Sequence, residues 1–167
     1  LAYDPSYSTR NSLPQDWESH PLAPALHLAR VRGAYLREHV RDFTCLLVKR
    51  ERINGQLRGF EYLSTKVRRE QRDGDQITTP FAIYAKYLGP KNVRGRKVLY
   101  VQGENDDKML VRKGGLRFNY ITLKLEPNSA TAMRESRYPI TELGLDSITQ
   151  RLISQTLSDI RLDPTGK

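Results

Sequence analysis

Apolar side chains along this chain change their spacing twice. From Pro21 onward Leu22, Leu26, Ala29, Gly33, Leu36 and Val40 recur every three or four residues, which lines one face of a helix, with Leu28, Val31 and Tyr35 flanking it. Pro21 and Pro24 suit its first turn, where the helix needs no backbone N–H. A glycine in a helix interior costs about 1 kcal/mol against alanine, so Gly33 within the apolar row points to close packing on another element. After Asp42 the run FTCLLVKRERI is strand-like, and Asn54-Gly55 marks a two-residue type I′ turn, which needs φ > 0 at both positions. The returning strand is QLRGFEYLSTKVRRE. With Asn54-Gly55 in the turn, Ile53 pairs with Gln56; extending that register sets Leu47 opposite Tyr62, Leu46 opposite Leu63 and Glu51 opposite Arg58.

A polar break at QRDGDQ precedes the strand FAIYAKYL, which stops at Gly89-Pro90. GRKVLYVQG and KMLVRK flank the turn-like Glu104-Asn105-Asp106-Asp107 as a second hairpin, and RFNYITLKLEP is a last strand closed by Pro127. Helical spacing returns in Leu145, Ile148, Leu152, Ile153, Leu157 and Ile160, with Asp146 or Ser147 available as the cap. Six strands in succession between two helices predict an α+β fold, a meandering antiparallel sheet with helices on one face. Residues 1–20, polar and broken by Pro5 and Pro14, read as an extended N-terminal arm, and residues 21–167 as a single domain.

Composition adds a constraint. The 167 residues, 38% of them hydrophobic, suffice for one core, and no apolar run approaches the roughly 18 residues that span a bilayer. Lys and Arg number 28 against 19 Asp and Glu, and the excess sits in residues 30–72 and 80–137. That balance invites an anionic partner. The arginines are nonetheless dispersed, without a basic tail, a recognition helix or an aromatic nucleic-acid motif, and in KVRRE and KRER they stand beside carboxylates as cross-strand pairs would. Nucleic acid is accordingly not the expected partner.

Candidate chemistry is sparse. His20, His27 and His39 lack metal-ligand spacing, and the single cysteine, Cys45, allows neither an intrachain disulfide nor a cysteine-based zinc site. Beside Phe43, Leu46 and Leu47 it reads as a small buried apolar side chain. Gly89 to Arg96 is a basic loop without the GxxxxGK[ST] pattern, no serine sits in a GxSxG elbow, and Glu104, Asp106 and Asp107 read as a solvated turn. The expectation is a non-enzymatic protein with no catalytic residue, no cofactor and no metal; a lipid hydrolase is the enzymatic alternative.

The segments FTCLLVKRERINGQLRGFEYLSTKVRRE, PFAIYAKYLGPKNVRGRKVLYVQGENDDKMLV and LEPNSATAMRESRYPITELGLDSITQRLI resemble an uncharacterised bacterial family known only as a domain of unknown function, over about residues 25–155. In element order the same stretch is similar to the LolA/LolB-like fold of periplasmic lipoprotein carriers. That resemblance implies an unclosed half β-barrel whose concave apolar face is covered by helices, a periplasmic or envelope location, and a lipid or acylated lipoprotein as partner. No signal peptide is readable in the chain. No single arginine here takes the place of the one that ties barrel to lid in the carriers.

In this reading Leu47, Tyr62, Phe81, Ile83 and Tyr87 line the cavity, and Leu99, Met109 and Leu123 extend it. An acyl chain buried there contributes roughly 0.8 kcal/mol per CH₂. Two alternatives stand beside it: a basic module that binds anionic surfaces, nucleic acid or lipid headgroups, including peripheral contact with an anionic membrane, motivated by the net charge of +9, and a structural or protein-interaction domain in which the same apolar residues simply fill a core.

Overall fold

A computed structural model describes residues 17–114 and 121–166 of the chain. Residues 1–16 of the expected arm, and 115–120 at the start of the expected last strand, lie outside the described residues. The chain groups into two compact units, one spanning residues 39–144 and one built from the segments before and after it.

In the central unit, β1 (Asp42–Lys49) leads into a tip formed by β2 (Arg52–Ile53) and β3 (Gln56–Leu57) and returns as β4 (Glu61–Arg68). A second tip, β5 (Gln71–Asp73) and β6 (Gln76–Thr79), precedes β7 (Ala82–Gly89), β8 (Lys97–Val101), β9 (Met109–Arg112) and β10 (Thr122–Leu125). The long strands form one six-stranded antiparallel sheet in the order β1-β4-β7-β8-β9-β10, the meander expected from the sequence. The polar QRDGDQ stretch is more than a break, since it carries the β5-β6 hairpin around Gly74. Asn54 and Gly55 take φ of 50° and 78°, as a type I′ turn requires.

The first hairpin corrects the extended register. Ile53 pairs with Gln56, and Arg58 N–H donates to Glu51 O at 2.8 Å, both as expected. Farther from the turn, however, Leu47 pairs with Leu63 and Val48 with Tyr62. Between the Glu51/Arg58 and Lys49/Glu61 pairs stands one residue on the first strand, Arg50, against two on the second, Gly59 and Phe60. One extra residue is a β-bulge, and because side chains alternate with period 2 it exchanges the two faces of the returning strand. Leu63, Thr65 and Val67 therefore turn inward and are buried, while Tyr62 turns outward and is 42% exposed.

The register carries this division across the sheet. Val67 pairs with Ile83, which pairs with Tyr100; Thr65 pairs with Ala85, then Val98, Val111 and Leu123. Val67, Ile83, Val98, Tyr100 and Met109 form the buried core, with Phe81, Ile140 and Leu143 packed against it. The returning segment after β10 contributes α2 (Ala130–Met133), whose N-cap Ser129 accepts from the Ala132 N–H. Cys45 corrects another expectation: it lies on the inward side but is exposed, because β1 is an edge strand and covers it from one flank only. Its Sγ sits 3.0 Å from Thr65 Oγ1.

The helical unit holds α1 (Ala23–His39) and α3 (Leu145–Leu162). Leu26, Ala29 and Gly33 are buried on α1, as its spacing predicts, and Ala23 rather than Leu22 is the buried position at its start. On α3 the stripe is rotated: Thr156 and Ile160 are buried, whereas Ile148 and Leu152 are 45% and 50% exposed. The reason lies at Gly33, where a Cβ would fall 2.8 Å from Thr149 Cγ2. That close approach fixes Thr149, not Ile148, toward α1. His20 is buried and joins the chain ends of this unit, with Nδ1 accepting from Leu22 N–H and Nε2 3.0 Å from Asp163 O. Neither helix is long and apolar enough to cross a membrane.

A double-mutant cycle tests this contact. Gly33→Ala gains about 1 kcal/mol of helix propensity but overpacks against Thr149, a cost of about 1–3 kcal/mol. In urea unfolding Gly33→Ala is expected to destabilise the native protein and to stabilise a Thr149→Ala background, where the clashing methyl is gone. Additive effects would contradict the close contact.

Candidate functional site

The inward face of the sheet is filled at one end and open at the other. At the filled end Ile83 is 1% exposed, and the Phe81 and Tyr100 rings lie 6.3 Å apart. At the other end a pocket of about 330 Å³ opens within the central unit. Its floor is the inward face of β8 to β10, Val98, Met109, Val111, Leu123 and Leu125, flanked by Tyr87 of β7. Its other wall is the segment after β10, with Pro127, Ala132, Ile140 and Leu143 turned toward it.

Of the eight side chains expected to line a cavity, Tyr87, Met109 and Leu123 line this pocket. Leu47 and Ile83 share the inward face, through their pairing with Leu63 and Val67, but are not part of the lining. Phe81 precedes β7 and packs on the core. Tyr62 and Leu99 lie on the opposite face: the bulge turns Tyr62 out, and Leu99 pairs with Tyr84 and Leu110, one residue out of phase with Val98 and Val111.

Charged groups gather at the pocket mouth. Lys49, at the end of β1, places Nζ 3.0 Å from both Glu51 Oε2 and Glu61 Oε2, with all three side chains largely buried. Burial opposes its charged form, yet Tyr87, Glu51 and Glu61 outweigh that effect and hold the Lys49 ammonium above its ordinary pKa. Ser136 closes the arrangement: its hydroxyl donates to Tyr138 O at 2.9 Å and lies 3.4 Å from Lys49 Nζ. Burial first, with Glu61 adding, pushes the Tyr87 phenol up. A lysine held charged and a phenol held neutral are both poor bases at neutral pH, so their chemistry here is that of donors.

Arg96 forms the second charged corner. The loop after β7 is fixed by Gly95 N–H donating to Tyr87 O and Tyr87 N–H donating to Arg96 O, each at 2.9 Å. This brings the Arg96 guanidinium 5.3 Å over the Tyr87 ring and its Nη1 2.8 Å from Glu135 Oε2. The hydrogen bond from Arg96 holds the Glu135 carboxyl below its usual range. Two further cations, Lys113 and Arg134, line the pocket. Among the described residues neither has a carboxylate in ion-pair contact.

Sequence reasoning missed Lys49, Arg96, Lys113, Arg134 and Glu135. Part of the signal was present, because Lys49 shares strand parity with Leu47, and Val111 and Leu125 share it with Met109 and Leu123. The contribution of the segment after β10 was invisible, since residues 126–143 show neither period.

Replacing Lys49 with Met removes one cation from two largely buried carboxylates, a loss of about 3–5 kcal/mol in urea unfolding; Lys49→Met/Glu61→Gln is expected to recover part of it, and a neutral Lys49→Met would contradict the cluster. For Glu135, whose lowered pKa means stability present above the ordinary carboxylate range, that contribution is lost as pH falls through the lowered value. Glu135→Gln, exposed enough to cost at most about 1 kcal/mol at pH 7, should thus converge with the native protein on acidification in thermal unfolding; a gap that widens toward acid would contradict the pairing.

Neither a curated protein nor a solved structure matches this chain. One family model does, described as "Protein of unknown function (DUF1571)", and it matches residues 40–165, which take in every strand of the sheet, the pocket and α3. The chain belongs to the DUF1571 family.

Proposed function

We propose that the central unit binds, without chemical conversion, an amphipathic anion: a lipid or lipoprotein acyl chain whose apolar part enters the pocket and whose acidic end rests among the cations at its mouth. The observation that carries this reading is an apolar floor beside Lys113 and Arg134, neither of which has an ion-pair partner among the described residues. A volume of about 330 Å³ is at the small end of ligand pockets. Each buried CH₂ contributes roughly 0.8 kcal/mol, and association costs at least about 4 kcal/mol, so about five methylenes only break even. A longer chain supplies the net affinity.

Lys49, held charged, and Tyr87, held neutral, suit donors to the acidic end of a ligand. The carrier-like half-barrel, with helices over a concave face, and the periplasmic or envelope location belong to this proposal and rest on the element order read from the sequence.

Uptake of dodecanoate, followed by displacement of a fluorescent fatty acid, tests the reading. Lys113→Glu/Arg134→Glu is expected to weaken dodecanoate by about tenfold or more while leaving dodecanol little changed, and Leu123→Glu to abolish both. No uptake by the native protein, or no lipid in an organic extract of it analysed by mass spectrometry together with no uptake, would overturn the proposal.

A further inference from the structure

The outward face of the sheet sorts charge in a way the sequence did not reveal. In one cross-strand row Ser64 pairs with Lys86, Lys86 with Lys97, Lys97 with Arg112 and Arg112 with Thr122. Three cations stand side by side with no carboxylate between them. Directly opposed residues have Cβ atoms about 4.5–5.5 Å apart, and like charges there are destabilising. The adjacent row runs Lys66, Tyr84, Leu99, Leu110 and Lys124. Across these outward positions Asp42 is the one acidic residue, and its bond is to Arg68 at the far corner.

Edge protection does not account for the lysines. Charged residues on edge strands deter sheet-to-sheet pairing, but Lys86 and Lys97 are on β7 and β8, in the interior of the sheet order. Nor is the face purely polar: Leu46 is 61% exposed with Val48 exposed beside it on β1, and Leu99 is exposed next to Lys97 on β8.

We infer that this outward face docks on an anionic lipid surface. Lysines near such a surface are attracted to its headgroups, and exposed aliphatic side chains interleaved with them enter the headgroup boundary. Nucleic acid would be served by the cations but not by Leu46, Val48 and Leu99, which have nothing to stack on or donate to a base. The inference stands apart from the pocket, which lies on the opposite face of the same strands.

Co-sedimentation of the full chain with vesicles at about 0.15 M salt tests it, using phosphatidylcholine alone, an equimolar mixture with phosphatidylglycerol, and duplex DNA as the competing polyanion. The decisive variant is Lys97→Glu, which sets a carboxylate between Lys86 and Arg112. It is expected to raise the thermal midpoint while weakening binding to the anionic vesicles about tenfold or more; Lys91→Glu, in the loop after β7, should weaken it far less. Dodecanoate uptake by Lys97→Glu should be unchanged, which separates failure here from failure of the pocket reading. Equal binding to neutral vesicles, an unchanged affinity in Lys97→Glu, an equal loss in Lys91→Glu, or tighter binding to DNA than to anionic vesicles would each overturn the inference.

Discussion

A strand places successive side chains on opposite faces, so a single inserted residue exchanges every position beyond it. In this protein that residue lies at Gly59-Phe60, opposite Arg50. With the bulge, Leu63, Thr65 and Val67 face inward and meet Ile83, Ala85 and Tyr87 on the next strand. Without it, Tyr62, Ser64 and Lys66 would occupy the core side, and a lysine would be buried where Val67 now sits at 3% exposure. The composition of both faces, and so the pocket and the cationic rows, follows from this offset.

The two faces then handle charge differently. Inward, two of the cations at the pocket are neutralised within the protein, Lys49 by Glu51 and Glu61 and Arg96 by Glu135, while Lys113 and Arg134 have no ion-pair partner among the described residues. These pairs fix side chains around the pocket mouth, and the buried Lys49 cluster also ties β1 to the loop carrying Ser136 and Arg137 through Glu51. Outward, Lys86, Lys97 and Arg112 align without an intervening acid. The net charge of +9 is therefore not spread evenly over a solvated surface; a substantial part of it is concentrated on one side of a sheet whose other side is apolar.

Much of the fold was legible in the sequence, for identifiable reasons. Period-2 runs separated by turn residues located all six long strands, and Asn54-Gly55 fixed the first turn because few residues accept φ > 0 there. Gly33 announced the close approach it makes to Thr149. The site was less legible. A bulge leaves no periodic signature, so alternation counted from the turn sets Tyr62 inward, and Leu99 is apolar although its phase belongs with Leu110. Cys45 has the neighbours of a core residue but the exposure of an edge strand, a fact of sheet order that local sequence does not encode. The cations at the pocket come from segments distant in the chain, and their convergence depends on the aperiodic stretch after β10.

The central claim is that the two faces of one sheet do different work, with an apolar ligand held only on the inward one. Methyl-resolved NMR of the full chain during titration with dodecanoate reads both faces at once. Saturable shifts confined to Met109, Val111, Leu123 and Leu125, with Leu46, Val48 and Leu99 unmoved, are predicted; shifts centred on Leu46, Val48 and Leu99, or none at Met109 and Leu123, would contradict the account.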